Sequence, residues 1–401
     1  MRIFLLLTCL MFLFILMACN SKETETKNKK TTTPPSNTAT TAKFASYNVS
    51  MFRDRQGQLK RDLSSGRDSQ IQNVAAVIQR VRPDVIVLCE FDYDPTGKLL
   101  DLFEENYLAK GQRGEKAIRY PYRLGFPSNT GVLSPADFDG DGAIKLPNDA
   151  YGFGRYEGQY AFAILSKYPM DEENLLSYQN QLWSEIPEAK IPFNENGKPY
   201  YDQKAWEVFR VSSKNHVAIP ILMPDQKIIH AVIAHPTPPV FDGPEDKNGL
   251  RNYDEIRLLK DIINNASYLK SDQGKPGGLP KDASFVVMGD LNADPIDGDS
   301  APGAINQLLD DPQINQSFSN GALVPKSNGG KIYNHRKNDK GDPAFDTAFF
   351  GSRIDYVLPS KDLKGIASGV FWPAEGEALY NVVKNKKASD HLLVWATVEL
   401  D

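Results

Sequence analysis

Five continuous apolar runs limit what this chain can fold into: Val85–Cys89, residues 161–165, Ile228–Ala234, residues 285–288 and residues 392–398. None shows the strict alternation of a half-exposed strand, so each reads as a strand covered on both faces. Residues 44–49 add a short alternating strand. Ile71, Val74, Ala75, Ile78 and Val81 recur at helical spacing and stop at Arg82-Pro83, which predicts an amphipathic helix. Further helices are expected at residues 253–264 and 303–309. Strands buried on both faces, with helices between them, predict an α/β fold of two β-sheets packed face to face and helices outside.

Residues 1–18 carry Arg2 and then a nearly unbroken apolar run, short for a membrane span but of signal-peptide length. The run ends Leu16-Met17-Ala18-Cys19, which resembles a bacterial lipobox. That resemblance implies an exported lipoprotein, periplasmic or at the cell surface, with lipid attached at Cys19; an ordinary signal peptide with a chance cysteine is the alternative. Residues 19–42 are Ser, Thr, Lys, Glu, Asn and Pro with almost nothing apolar. Such a segment cannot bury enough surface to offset the entropy of ordering, so a disordered tether is expected. Cys89 is then the only cysteine of the folded body, which excludes an internal disulfide. Residues 43–401 contain no second linker and read as one domain with long insertions, expected to be a monomer. The net charge of −5 argues against broad electrostatic capture of nucleic acid, though a local basic groove stays open.

Six short pieces place a carboxylate, amide or imidazole beside a strand: Ser46-Tyr47-Asn48-Val49, Cys89-Glu90, His235-Pro236-Thr237-Pro238, Gly289-Asp290-Leu291-Asn292, Arg353-Ile354-Asp355-Tyr356 and Ser389-Asp390-His391. Hydrolysis of a phosphoester needs a hard cation on oxygen ligands, a base for water, and donors for charge building on phosphorus oxygens. These residue types supply all three. In this order the set resembles the endonuclease/exonuclease/phosphatase superfamily, from about Phe44 to the C-terminus. The resemblance implies a four-layer, deoxyribonuclease-like α/β sandwich of two mixed sheets flanked by helices, with the site at one edge.

Glu90, at the tip of a buried strand, is the first choice for a metal ligand, since Mg²⁺ takes one or two carboxylates plus water and phosphate oxygens. Asp290 and Asn292 lie two apart, so an extended segment would turn both toward one phosphate. The resemblance implies that Asp290 orients and deprotonates the attacking water and that Asn292 hydrogen-bonds the phosphoryl group. It further implies that Asn48 and Asp390 help hold the metal or its water, that His391 donates to the phosphate, and that Asp355 stabilises the charged form of that imidazole. His235, between a strand and a stiff Pro236/Pro238 turn, would donate a proton to the leaving oxygen, as in the deoxyribonuclease and sphingomyelinase branches. Two departures stand out: Glu157 is out of register for the glutamate that partners this histidine, and Ser50 replaces a further acidic residue found in abasic-site endonucleases. His216 reads as a surface loop residue, while His230 and His335 take no catalytic role.

Asp137, Asp139 and Asp141, with Gly142 at the sixth position, match the opening of a calcium loop, but Asn148 stands where the closing glutamate belongs. A variant structural Ca²⁺ loop and a plain acidic turn both stay open. Arg155, Arg251 and Arg257 are surface-paired by default. The aromatic insertion at residues 171–213 reads as cover for a sheet edge. The expected activity is divalent-metal-dependent phosphoester hydrolysis with Mg²⁺ (or Mn²⁺ or Ca²⁺), on a phosphodiester of nucleic-acid or phospholipid type. A phosphomonoesterase, or a surface-binding protein that keeps the fold without chemistry, are the alternatives.

Overall fold

The computed structural model describes residues 40–333 and 340–400. Cys19, the apolar segment 1–18, the tether up to residue 39 and His335 lie outside the described residues. Ala39–Asp401 form one compact unit. Among the described residues, no helix is long and apolar enough to cross a membrane.

Eleven strands make two mixed sheets. The first is built from β1 (Thr41–Asn48), β2 (Val85–Cys89), β3 (Tyr122–Gly125), β4 (Phe162–Ser166), β10 (Gly365–Val370) and β11 (Val394–Glu399), in the order β10-β11-β1-β2-β4-β3. The second runs β5-β6-β7-β8-β9, with β5 Leu176–Ser177, β6 His216–Leu222, β7 Ile228–Ala234, β8 Ser284–Asp290 and β9 Asp355–Pro359. Among the strands of the described residues, the β1/β2 and β7/β8 pairs are parallel and the others antiparallel.

The continuous apolar runs do what their composition predicts. Ile229, Ala231 and Ile233 of β7 join β1 and β2 in the core between the sheets, while Val232 and Ala234 join a second core on the opposite face. Full burial of each such aliphatic side chain contributes about 1.5–3 kcal/mol. On the first sheet, α1 (Gln58–Ser65), α2 (Ser69–Val81) and α3 (Lys98–Phe103) add their apolar residues to the same core. Asp68 caps α2 by accepting from the Ile71 amide, and Arg82 closes it in the left-handed conformation before Pro83. On the second sheet, α4 (Gln203–Val208) and α5 (Lys247–Ile263) lie against the outer core. The aromatic insertion does cover a sheet: Trp183, Tyr201 and Phe209 are buried there.

Several boundaries depart from the pattern. Thr41 and Ala42, read as the end of the tether, pair with Glu399 and Val398 as the first residues of β1. β11 begins at Val394, because the Leu392 amide is taken by the Thr347 carbonyl and the Leu393 carbonyl by the Phe371 amide. The 303–309 helix shrinks to a single turn, α6 (Asn306–Leu309). α5 starts at Lys247, well ahead of residue 253, since the face it buries is polar: Arg251, Asn252, Asp254 and Glu255 are all buried, and such a stripe leaves no hydrophobic period.

Candidate active site

Strand direction gathers the six pieces. Parallel β1 and β2, with Asn48 opposite Cys89, deliver Asn48 and Glu90 at the same end. Parallel β7 and β8 deliver His235 and Asp290 together. Antiparallel β9 starts at Asp355, directly opposite Asp290, and antiparallel β11 starts just after His391, with Val394 opposite Ser46. Gly289 permits the close β7/β8 approach here, because a Cβ at this position would overlap the Ala234 carbonyl oxygen.

Asp290 is the hub. It is buried, and its Oδ2 accepts from Asn48 Nδ2 at 2.9 Å, with His235 Nε2 at 3.5 Å and His391 Nε2 at 3.7 Å. Its Oδ1 accepts from the Asn292 amide at 3.0 Å. Asn292 takes the left-handed conformation, φ 52°, and its Nδ2 donates to the Pro236 carbonyl at 3.1 Å, leaving its second amide hydrogen uncommitted. The expected extended Asp290–Asn292 segment is therefore a tight turn. The two residues still border one space through the Pro236 contact.

His391 Nδ1 donates to Asp355 Oδ2 at 2.9 Å, and Thr347 Oγ1 donates to the same oxygen at 2.8 Å. Burial opposes a charge on the His391 ring, but Asp355 and Asp290 beside it outweigh that cost and raise its pKa to about 10. At neutral pH the ring is an imidazolium. His235 is the opposite case: burial, followed by the charges of Lys214 and His391, holds its pKa well below the ordinary value, so its ring is neutral. Its Nδ1 is buried with no hydrogen-bond partner among the described residues.

Glu90 leaves β2 in the left-handed conformation, φ 59°, pinned by the Met51 amide donating to its carbonyl at 2.9 Å. That backbone costs about 1 kcal/mol for a residue with a Cβ, a strain found most often at functional positions. Burial lifts the Glu90 pKa to about 7, against the pull of the His391 charge and of the Asn48 amide. Asp390 turns away from His391 and accepts from Ser50 Oγ at 2.8 Å; Ser50 Oγ also lies 2.9 Å from Ser389 Oγ. Ser50, the residue that departs from an acidic position, thus positions an acid supplied from elsewhere.

Metal fit is decided by the donors. Glu90, Asp390 and Asn48 offer hard oxygen ligands of the kind Mg²⁺, Mn²⁺ or Ca²⁺ prefer. Asp290, Asp355 and His391 bring ligand atoms within 4.8 Å of one another. With both ring nitrogens of His391 protonated, that trio is an ion-paired relay and a poor cation cage.

The residues beyond the motifs are Lys214, Thr347, Asn252 and Glu255. Lys214 is buried, and its Nζ donates to the Pro236 carbonyl at 3.3 Å. Burial lowers its pKa, while Glu255, Glu90 and Asp290 pull it back up. A lysine two residues before an apolar strand was the one signal available for it. His216 is not a surface residue: it opens β6, fully buried, with Nδ1 2.6 Å from Ser212 Oγ and Nε2 2.8 Å from the Glu255 carbonyl. Arg251 is buried and donates from Nε and Nη2 to the Val211, Tyr151 and Arg210 carbonyls. Glu157 is exposed, and Arg155 pairs with Asp54 at 2.8 Å.

The acidic loop differs from its expected form. Asp141 pairs with Lys145 at 2.6 Å, and buried Asp149 takes its place beside Asp137 and Asp139, ligand atoms within 4.8 Å. Asp137 accepts from the Gly140 and Gly142 amides, and Asp149 from those of Phe138 and Lys145. Backbone amides thus hold Asp137 and Asp149 in place within this turn.

The endonuclease/exonuclease/phosphatase family is matched over residues 45–391. The chain is similar to solved structures of an endonuclease/exonuclease/phosphatase from Beutenbergia cavernae DSM 12333 (15% identity, 90% of this chain and 72% of that one, TM-score 0.49). It is also similar to truncated Caenorhabditis elegans TDP2 (13%, 90% and 97%, TM-score 0.42) and to a mutant Staphylococcus aureus beta toxin with bound magnesium ions (17%, 89% and 99%, TM-score 0.43). The comparison with curated proteins gives no match.

Proposed function

Because the chain belongs to the endonuclease/exonuclease/phosphatase family, whose members are metal-dependent phosphoester hydrolases, we propose that it cleaves phosphodiesters by in-line attack of water on phosphorus. The observation that carries this reading is the placement of Asp290 Oδ2 within 3.7 Å of a charged imidazole and 3.5 Å of a neutral one, beside the oxygen donors of Glu90, Asn48 and Asp390. Asp290, oriented by Asn48, accepts the proton of the attacking water. His391, held charged by Asp355, and Asn292, through its uncommitted amide hydrogen, donate to the phosphoryl oxygens. Lys214 adds a second positive charge from beneath the Pro236 turn. His235 donates its ring hydrogen toward the leaving oxygen, and the negative charge of an arriving phosphate favours its protonation. Glu90, Asn48 and Asp390 would hold a divalent cation, which would supply further charge stabilisation to the phosphate. Mg²⁺ suits such a site, with Mn²⁺ or Ca²⁺ as substitutes.

Charge count favours a diester over a monoester. Among the described residues, Glu90, Asp290, Asp355 and Asp390 are the acidic groups of the site and His391 and Lys214 its cations, so without a metal the site repels a dianionic monoester more strongly than a monoanionic diester, a difference that a bound divalent cation narrows. Within that class a phospholipid is favoured over nucleic acid. Phe153, Phe241 and Ile296, on loops next to the site strands, are 57%, 91% and 59% exposed, while nearby Arg53, Arg155 and Lys247 are paired with Asp62, Asp54 and Glu245. The lipobox-like Leu16-Met17-Ala18-Cys19 supports an exported, membrane-anchored protein, which labelled palmitate incorporation at Cys19 would test.

The decisive measurement is turnover by residues 39–401 with Mg²⁺ or Mn²⁺ on bis(p-nitrophenyl) phosphate, p-nitrophenyl phosphate, phospholipid vesicles and plasmid DNA. Diester kcat/KM is expected to exceed monoester by at least about tenfold, with Asp290→Ala and His391→Ala each losing about 10²–10⁴-fold. Hydrolysis that survives both substitutions would sink the proposal.

A further inference from the structure

The geometry points to Glu255 of α5, with Asn252 three residues before it, as a positioning residue that clamps three site loops together; this rests on the phosphodiesterase reading above. Glu255 is fully buried, and each carboxylate oxygen is spent on a different loop. Oε1 accepts from the Ser213 amide at 2.6 Å, next to Lys214, and Oε2 accepts from the Thr237 amide at 2.6 Å, two residues after His235. Its own carbonyl is 2.8 Å from His216 Nε2 at the start of β6. Asn252 extends the clamp to the third loop: its Nδ2 donates to the Thr237 carbonyl at 2.8 Å and to the Leu291 carbonyl at 3.0 Å, between Asp290 and Asn292. The loops are further tied to one another, since Lys214 Nζ and Asn292 Nδ2 both donate to the Pro236 carbonyl.

Short hydrogen bonds from backbone amides to a carboxylate are strong, and a buried carboxylate is retained only where it is so satisfied. No side chain of α5 needs to touch substrate for this to matter. The distances between His235, Asp290 and Lys214 are set by loops that adjoin the neighbouring strands β6, β7 and β8 and that this helix ties together beyond the strand ends, and small misplacements of catalytic groups are costly in rate.

Glu255→Gln keeps the shape and removes one acceptor, because the amide nitrogen then meets a backbone N–H. In the full-length protein, kcat on bis(p-nitrophenyl) phosphate should fall about 10- to 100-fold with KM changed less than about threefold. In a His235→Ala background the same change should cost less than in wild type, since part of the clamp acts through His235 and the rest through Lys214 and Asp290. Independently of turnover, amide hydrogen exchange of residues 211–217 and 235–241 should quicken at least about tenfold, while Val85–Cys89 stays at the wild-type rate. Asn252→Ala, which leaves the carboxylate in place, should loosen residues 235–241 and 290–293 in the same assay and serves if Glu255→Gln fails to fold. Wild-type exchange in the variant that folds, or equal kcat losses with and without His235, would overturn the clamp. If wild-type protein shows no diester turnover, the functional reading fails while hydrogen exchange still decides the clamp.

Discussion

His216 and His391 are both buried histidines, yet their surroundings push them in opposite directions. His391 lies beside two carboxylates and holds its proton. For His216, burial leads, and the Arg251 charge adds to it against the pull of Glu255, lowering the pKa to about 4. The sign follows directly: between pH 6.5 and about 4 the unfolded chain binds a proton that the folded His216 refuses, so stability is full above about pH 6.5 and falls as pH drops through this window. A shift of this size corresponds to about 3 kcal/mol across the window. Urea unfolding at about pH 7 and about pH 5 should therefore show a smaller acid loss for His216→Gln, whose side chain does not titrate, than for wild type. Equal losses in the two proteins would mean that other groups carry the acid sensitivity.

At the level of single elements, α5 performs two tasks with two faces. Ile256, Leu258, Leu259 and Ile262 are buried in the outer core with Val232, Ala234 and Val287 of the second sheet, whereas Arg251, Asn252 and Glu255 tie the site loops. Ile256→Ala should cost about 2–5 kcal/mol of unfolding free energy in denaturant titration, in the range for a fully buried aliphatic side chain that leaves a cavity. A loss under about 1 kcal/mol would show that the outer core relaxes around the gap. The same division explains why sequence pattern located only the second half of this helix. Apolar positions report themselves by period, but a buried polar stripe resembles a solvated one until its backbone partners arrive from residues 151, 211, 213, 237 and 291.

For the molecule as a whole, the site exists only where both sheets end together, and a cation bound there should tie them. Saturating Mg²⁺ at about 100 times its Kd should raise the unfolding free energy by about 2.7 kcal/mol and the Tm accordingly, and Glu90→Gln should abolish most of that gain. An unchanged Tm in wild type with excess Mg²⁺ or Mn²⁺ would argue against the cation site drawn from Glu90, Asn48 and Asp390. The apolar runs were enough to predict strands buried on both faces, and with them the α/β class, because hydrophobic burial is written locally along a strand. The polar groups at the strand ends were legible too, since tight turns after buried strands are short and their residues few. Lys214, Thr347, Asn252 and Glu255 were not, and neither was the replacement of Asp141 by Asp149: each of these acts through partners brought close by strand order and direction. Hydrogen bonding and charge are decided by distance in space, and for Asn48 and Asp290 that means two residues 242 apart in sequence meeting at 2.9 Å.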